Sequence, residues 1–298
     1  MSTDVSVSKR RVPSLTYGYG TDRGLKRELN EDSLIASDPV FAVADGMGGH
    51  EAGEVASGIC VRTLGDSPVV GTRCPQFSAA DIHDLLQLAD QRIREATGGR
   101  AGTTVSGVML VEESESPYWL FFNVGDSRTY RLSQGVFEQV TVDHSEVQEL
   151  VDIGRITEAE AQIHPRRHVV TRALGTGSET EPDFWLMPVE EGDRIMVCSD
   201  GLTGEVSAEH IRDLLSNIGD PQMTTDSLID AALRSGARDN VSVIVIDASG
   251  IDRDPAITAR TDDDSEDTIP RRPSTPKVSS ADQPTESGTA SNDAGDRR

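Results

Sequence analysis

The chain of 298 residues is short of positive charge. Lys and Arg number 28 against 51 Asp and Glu, a formal net charge of −23 at pH 7. That balance excludes nucleic acid and anionic membrane as main partners, because both are bound through basic patches. It also means that any site for a phosphorylated group needs local positive charge, which bound divalent cations would supply. Cysteine is scarce: Cys60, Cys74 and Cys198 show no CxxC spacing. An odd, sparse count belongs to a reducing compartment, and Cys60 and Cys198 lie in apolar stretches as small core residues. No run of about 18 apolar residues occurs, so no membrane span is expected. Lys9-Arg10-Arg11 is not followed by an apolar segment, so no signal peptide is expected. These absences point to the cytoplasm, and no internal repeat is found.

What remains divides into three stretches. Residues 1–14 are polar and read as a flexible N-terminus. Residues 15–250 hold enough Val, Leu, Ile and Ala for one sizeable core. From 251 to 298 Ser, Thr, Asp, Pro and Arg dominate without aromatics, and such a segment cannot bury enough surface to order itself. It reads as a disordered acidic tail, with Thr261–Thr268 either a solubilising stretch, the favoured reading, or a site of phosphorylation.

Within 15–250, apolar periodicity predicts strands over 15–20, 103–111, 118–124, 128–132, 136–140, 184–188, 194–199 and 241–247. Helices are expected over 51–64, from Ser78 to Gly98, over 207–218 and over 226–235, with two short ones within 143–165, where Thr157 and Glu160 form a capping box. His164–Gly177, basic and glycine-containing, reads as a surface flap.

The chain is organised around 30–50, where two apolar runs flank Asp38-Pro39. Proline presets φ and Asp bonds the backbone ahead of it, so the pair reads as a tight turn between antiparallel strands. A fold symmetric about that turn sets Asp32 opposite Asp45, with Glu31 beside them. Two carboxylates about 4 Å apart at an effective dielectric near 20 repel by roughly 4 kcal/mol, which a cation between them relieves. The same pattern recurs. Acids follow the ends of apolar strands at Asp45, Asp126 and Asp200, and precede strand starts at Asp32 and Asp239. In antiparallel sheets these ends share one edge, so five carboxylates from distant segments can converge. Asp247 falls at the opposite rim. A single Asp at a strand end is ordinarily a turn residue; the repetition weakens that reading. All-oxygen ligands suit Mg²⁺ or Mn²⁺, and the lack of His and Cys in the cluster argues against zinc. Two such ions can activate a water and neutralise a phosphoryl group.

The motifs Arg27-x-x-Asn30-Glu31-Asp32, Ala44-Asp45-Gly46-Met47-Gly48-Gly49-His50, Ala101-Gly102-Thr103-Thr104, Asn123-Val124-Gly125-Asp126-Ser127-Arg128, Thr141-x-Asp143-His144-Ser145, Cys198-Ser199-Asp200-Gly201-Leu202 and Asp239-Asn240-Val241-Ser242 occur in that order. In this the chain resembles the metal-dependent, type 2C serine/threonine protein phosphatases in their bacterial form. The resemblance implies an α+β fold, an αββα sandwich of two antiparallel sheets flanked by helices with a di-metal cleft at one edge. It implies hydrolysis of phosphoserine and phosphothreonine in proteins by direct attack of a metal-bridging hydroxide, with two or three Mn²⁺ or Mg²⁺ ions. Asp45 then looks like the bridging ligand, Gly46 a carbonyl ligand, Asp200 and Asp239 ligands of the second ion, and Asp126 with Asp200 a third site. Glu31 and Asp32 resemble residues that hold metal-bound waters, and Arg27 the arginine that grips phosphate. The implied partners are phosphoproteins and a serine/threonine kinase or its substrates.

The chain departs from many eukaryotic members in one place. Met47 stands where they have a proposed histidine acid, and methionine donates no proton, so a metal-bound water is expected to protonate the leaving group. His50 is the alternative donor, although it more readily caps or packs beside the next helix. His144 is expected to organise the start of the flap. Arg166, Arg167, His168 and Arg172 read equally as substrate contacts or a solvated face. The competing functions are a catalytically weak relative acting as a regulatory binding module and a phosphodiesterase. The full set of acids disfavours the first, and the acidic surface the second.

Overall fold

The turn at Asp38-Pro39 sets the first register. Strand β2 (Asp32–Ser37) pairs antiparallel with β3 (Val40–Gly48), with Ser37 opposite Val40 and Asp32 opposite Asp45. The computed structural model describes residues 12–48, 52–177 and 180–251. His50, residues 1–11 and the tail from 252 onward lie outside them, as do the expectations placed there.

Two antiparallel sheets form the centre. One runs in the order β1 (Ser14–Asp22), β11 (Val241–Ser249), β10 (Arg194–Cys198), β7 (Arg128–Ser133), β8 (Val136–Gln139). The other runs β2, β3, β5 (Val105–Glu113), β6 (Ser116–Val124), β9 (Asp183–Pro188), with β4 (Ala101–Thr103) pairing the end of β3. Alternate side chains of each strand face opposite ways. Phe41, Val43, Trp119, Phe121, Ile195, Val197, Ile244 and Ile246 fill the space between the sheets. Ala42, Ala44, Val105, Met109 and Phe122 face outward, onto α1 (Ala52–Gly65) and α2 (Ala79–Thr97). On the far side Met196, Cys198, Val243 and Val245 pack against α6 (Ala208–Asn217) and α7 (Pro221–Ser235). Both sheets are covered on both faces, which is why Val40–Ala44 and Val241–Ile246 read as near-continuous apolar runs rather than alternating ones. The result is the αββα sandwich, with Cys60 and Cys198 buried in its core.

Local signals explain the helix ends. Ser78 accepts from the Asp81 amide while Asp81 accepts from the Ser78 amide, and Gly98 closes α2 in the left-handed conformation. Helix α7 starts five residues before the expected Asp226. Asp220 caps it and Pro221 occupies its first turn. The intervening Thr224 and Thr225 hide the helical stripe, because their buried hydroxyls bond the carbonyls of Asp220 and Pro221. Between β8 and β9, α3 (Glu146–Asp152) and α4 (Glu158–Ile163) form the expected short pair, and α4 buries none of its residues. The flap expected over 164–177 is exposed only in part: Ala173 and Leu174 are buried, and Leu174 exchanges backbone hydrogen bonds with Thr103.

Candidate active site

Three features of the chain set Asp45. The strand does not stop at Asp45, as the sequence suggested. After Val43 it leaves β5 and pairs with β4, Gly46 facing Thr103 and Gly48 facing Ala101. Asp45 sits at this change of partner. Thr104 occupies the break between β4 and β5 and clamps the backbone there. Its amide donates to the Asp45 carbonyl at 2.9 Å, and its hydroxyl accepts from the Asp45 amide at 3.2 Å. Thr103 Oγ1 adds a bond to the same carbonyl at 2.9 Å. Gly46 cannot carry a side chain, since a Cβ would lie 2.2 Å from the Gly53 carbonyl oxygen and 2.5 Å from that of Glu31.

The other acids arrive from separate elements. Asp126 follows β6. Asp200 opens the single-turn helix α5 (Asp200–Thr203), which the sequence did not suggest. Asp239 precedes β11, and Glu31 precedes β2. With Arg27, Asp45 and the Gly46 backbone they line one cleft of about 490 Å³, joined by Met47, Thr104, His168, Glu205 and Arg238. Asp32 stands apart from this lining. It is buried behind the cleft, where Ser199 donates to its Oδ2 at 2.8 Å and in turn accepts from the Ser242 amide at 3.0 Å. Asp247 lies elsewhere, in a two-bond pair with Arg194 at 2.6 and 2.7 Å.

The electrostatics are those of crowded anions. Burial, followed by the charges of Asp32, Asp200, Asp126 and Asp239, holds the Asp45 carboxyl well above its usual range. Burial first, then Asp200 and Asp143, pushes Asp126 up to about 7. Asp32 is likewise pushed up to about 7 by burial, against the Ser242 and Ser199 hydrogen bonds that lower it. Glu31 is raised by burial, although Arg27 and the Gly53 amide at the start of α1 pull it back. Such a set is destabilised when fully ionised unless cations neutralise it.

The fit to divalent cations can be tested on the donors themselves. The acidic ligands are all oxygen, as hard cations require. Asp32 Oδ1 and Asp200 Oδ1 are buried without a hydrogen-bond partner among the described residues. Among those residues no three His, Cys, Asp or Glu side chains are already arranged to hold a metal ion. A carboxylate re-aims its oxygens by turning about one χ angle, so burial and donor chemistry decide, and they fit Mg²⁺ or Mn²⁺.

Comparison with known proteins agrees. The family model described as Protein phosphatase 2C matches residues 20–233. The chain belongs to the protein phosphatase 2C family. It is 40% identical over 241 residues to the serine/threonine protein phosphatase PstP of Mycobacterium tuberculosis, covering 80% of this chain but only 46% of that one. The serine/threonine phosphatase stp of Listeria monocytogenes is 34% identical over 243 residues, covering 77% of this chain and 94% of its own length. Among solved structures, the catalytic domain of PstP in complex with two manganese ions superposes with a TM-score of 0.72 at 36% identity, covering 79% of this chain and 99% of that one.

Several residues of this 2C-type cleft had no role assigned from sequence. Asn240 holds the 23–31 segment in place: its Oδ1 accepts from the Glu31 amide at 2.8 Å, and its Nδ2 donates to the carbonyls of Arg23 and Leu29 at 2.9 Å. Arg27, thereby placed at the cleft mouth, donates to Asp239 at 2.7 Å and stands 3.9 Å from Glu31. Arg238 reaches Glu205 at 2.8 Å and brings a second guanidinium to the rim. Of the basic flap residues, His168 is the one lining this cleft. Arg166 pairs with Glu146, and Arg172 with Asp183 at 3.2 Å. His144 organises the flap base. Its Nδ1 accepts from the Gly125 amide at 3.1 Å, which leaves the ring proton on Nε2 facing Asp183 at 3.1 Å.

Proposed function

We propose that this chain is a metal-dependent protein serine/threonine phosphatase that removes phosphate from phosphoserine and phosphothreonine of proteins. The observation that carries the reading is the convergence of Glu31, Asp45, Asp126, Asp200 and Asp239 on one cleft with a guanidinium at its mouth, in a member of the protein phosphatase 2C family.

The residues divide the work as follows. Asp45, Asp200, Asp239 and the Gly46 carbonyl would hold two dications, with Asp126 available for a further one; Glu31, supported by Asp32 from behind the cleft, would orient bound water. When bound, Mn²⁺ or Mg²⁺ would supply Lewis acidity towards the phosphoryl oxygens and lower the pKa of a water there. Arg27 grips the phosphate. Its planar fork can form two parallel bonds to the anion and stays charged throughout the working range. Backbone clamps such as Thr104 on Asp45 and Asn240 on the Arg27 segment fix the charged groups before substrate arrives, and positioned charge is where phosphoryl transfer draws most of its acceleration. Met47 lines the cleft without a proton to give.

Catalysis is assigned to residues 15–250, and a chain ending at Gly250 is expected to keep the full rate. The cellular counterpart fitting this chemistry is a serine/threonine kinase or its substrates, in a signalling role. Three free, buried cysteines suit the cytoplasm. The test is hydrolysis of a phosphothreonine peptide and of p-nitrophenyl phosphate with MnCl₂ and with chelator. Turnover that needs the metal supports the reading; none with Mn²⁺ would favour a regulatory binding module.

A further inference from the structure

Arg238 is the cleft cation that the reaction above leaves without a task. Arg27 and Arg238 are the two guanidiniums that line the cleft among the described residues, and Arg27 is committed to the scissile phosphate. The two arginines flank Asp239. Arg27 bonds it at 2.7 Å, and Arg238 directly precedes it, with its Cα about 3.8 Å from that of its neighbour. The Arg238 backbone is held in place. Ala237 is fully buried, its amide donates to the Ala232 carbonyl at 3.1 Å, and its carbonyl accepts from the Leu25 amide at 2.9 Å. The side chain is held as well. Glu205 Oε1 accepts from the Arg238 amide at 3.2 Å and from Nε at 2.8 Å. Glu205 is the hidden member of the pair, its side chain 8% exposed against 66% for Arg238. The face turned to solvent at this rim is therefore the cation. Nε is the guanidinium nitrogen engaged, and the two Nη groups bond no acceptor among the described residues.

We propose that Arg238 is a specificity-determining residue whose free Nη groups bind a second oxyanion on the substrate chain, a carboxylate or a further phosphoryl group within two positions of the phosphoserine or phosphothreonine. The inference rests on the phosphatase reading for the scissile phosphate; the second anion is additional. With Nε spent on Glu205, the Nη edge of the planar fork still offers two parallel bonds to a carboxylate or phosphate. In an extended peptide, side chains two positions apart lie on one face about 6.6 Å from each other. An arginine side chain rooted beside Asp239 covers that span, and so reaches a group next to the one Arg27 holds. The formal charge of −23 gives an acidic substrate no long-range attraction. Selection for one is therefore made by contact, and a guanidinium already held on Glu205 loses little side-chain freedom on binding. A salt bridge serving only the fold would leave the enzyme indifferent to charge beside the phosphoresidue.

The test uses the full chain with MnCl₂ and phosphothreonine peptides alike except at one flanking position, one or two residues before or after the phosphothreonine. That position carries Ala, Glu, Lys or the uncleavable phosphonate analogue of phosphoserine. At one of these positions the wild type should show a KM about fivefold lower for an anionic peptide than for the Ala peptide, and a higher KM for the Lys peptide, with kcat nearly constant. In Arg238→Gln the ratio of anionic to Ala KM should approach one. In Arg238→Glu the Lys peptide should become the preferred substrate, an inversion that a purely structural pair does not produce. A gain with both anionic peptides assigns any oxyanion, and a gain with the phosphonate alone assigns a second phosphoryl group. Should Arg238→Gln not fold, Arg238→Lys, which keeps the charge without the fork, should retain only part of the preference. A wild type indifferent to flanking charge, or a preference unchanged in the folded variants, would overturn this inference and leave the phosphatase reading standing. No Mn²⁺-dependent turnover of any peptide or of p-nitrophenyl phosphate by the wild type would overturn both.

Discussion

The metal-free cleft should make this protein lose stability as pH rises. Asp32 and Asp126 carry folded-state pKa values pushed up to about 7, chiefly by burial, against an ordinary 3.8. Between those values the folded protein keeps a proton that the unfolded chain has released, so the unfolding free energy falls with rising pH. That is the reverse of a salt-bridged aspartate. One such group changes stability by at most about 1.4 kcal/mol per pH unit. From pH 5 to 7, with the proton leaving gradually near the upper limit, the change is about 2 kcal/mol per group, or roughly 4–8 °C in Tm for a domain of this size. The comparison is with Asp32→Asn, which retains an acceptor for Ser199 but cannot titrate. Thermal unfolding in EDTA at pH 5, 6 and 7 should show the wild type falling by about that amount relative to the variant. Subtracting the variant removes the background self-repulsion of an acidic chain. MnCl₂ should reverse the trend in the wild type, because metal ligation requires ionised carboxylates and so strengthens with pH. Wild-type and Asp32→Asn curves that run parallel in EDTA would refute the reasoning.

Other perturbations separate the roles in the cleft. Asp45→Asn should leave a folded protein with no Mn²⁺-dependent turnover; retained metal-dependent activity would contradict its place as a ligand. Gly46→Ala should cost about 3 kcal/mol or prevent folding, because the new methyl meets the Gly53 and Glu31 carbonyls, and urea unfolding measures it. Arg27→Lys keeps the charge but loses the fork, so KM for a phosphopeptide should rise about tenfold with kcat much less affected. Asp247→Asn should lower stability by about 2 kcal/mol through its bond to Arg194 while leaving kcat unchanged. A kcat loss there would mean that the far rim takes part in the chemistry.

Local chemistry wrote part of this protein plainly into the chain. The Asp38-Pro39 turn determined the 32–45 register, because two strands folded back symmetrically about it must set Asp32 opposite Asp45. Serine, threonine and aspartate caps determined where helices begin. Acids at strand ends, each unremarkable alone, were legible as a set because an antiparallel sheet returns its strands to one edge. Where local signals were weak, as at the threonine-rich start of α7 or the one-turn α5, the reading fell short. Partners far apart in sequence could not be read at all. Asn240 tethering the Arg27 segment, Ser199 relaying Ser242 to Asp32, Thr104 clamping Asp45 and His168 standing near Asp200 join residues between 32 and 217 positions apart. Only the packing of the two sheets and their helices brings those groups together. The tertiary structure likewise decided that Asp32 is buried behind the cleft while Glu31, its neighbour, faces into it. Successive side chains leave the backbone on opposite sides, and the fold determines which side is the interior.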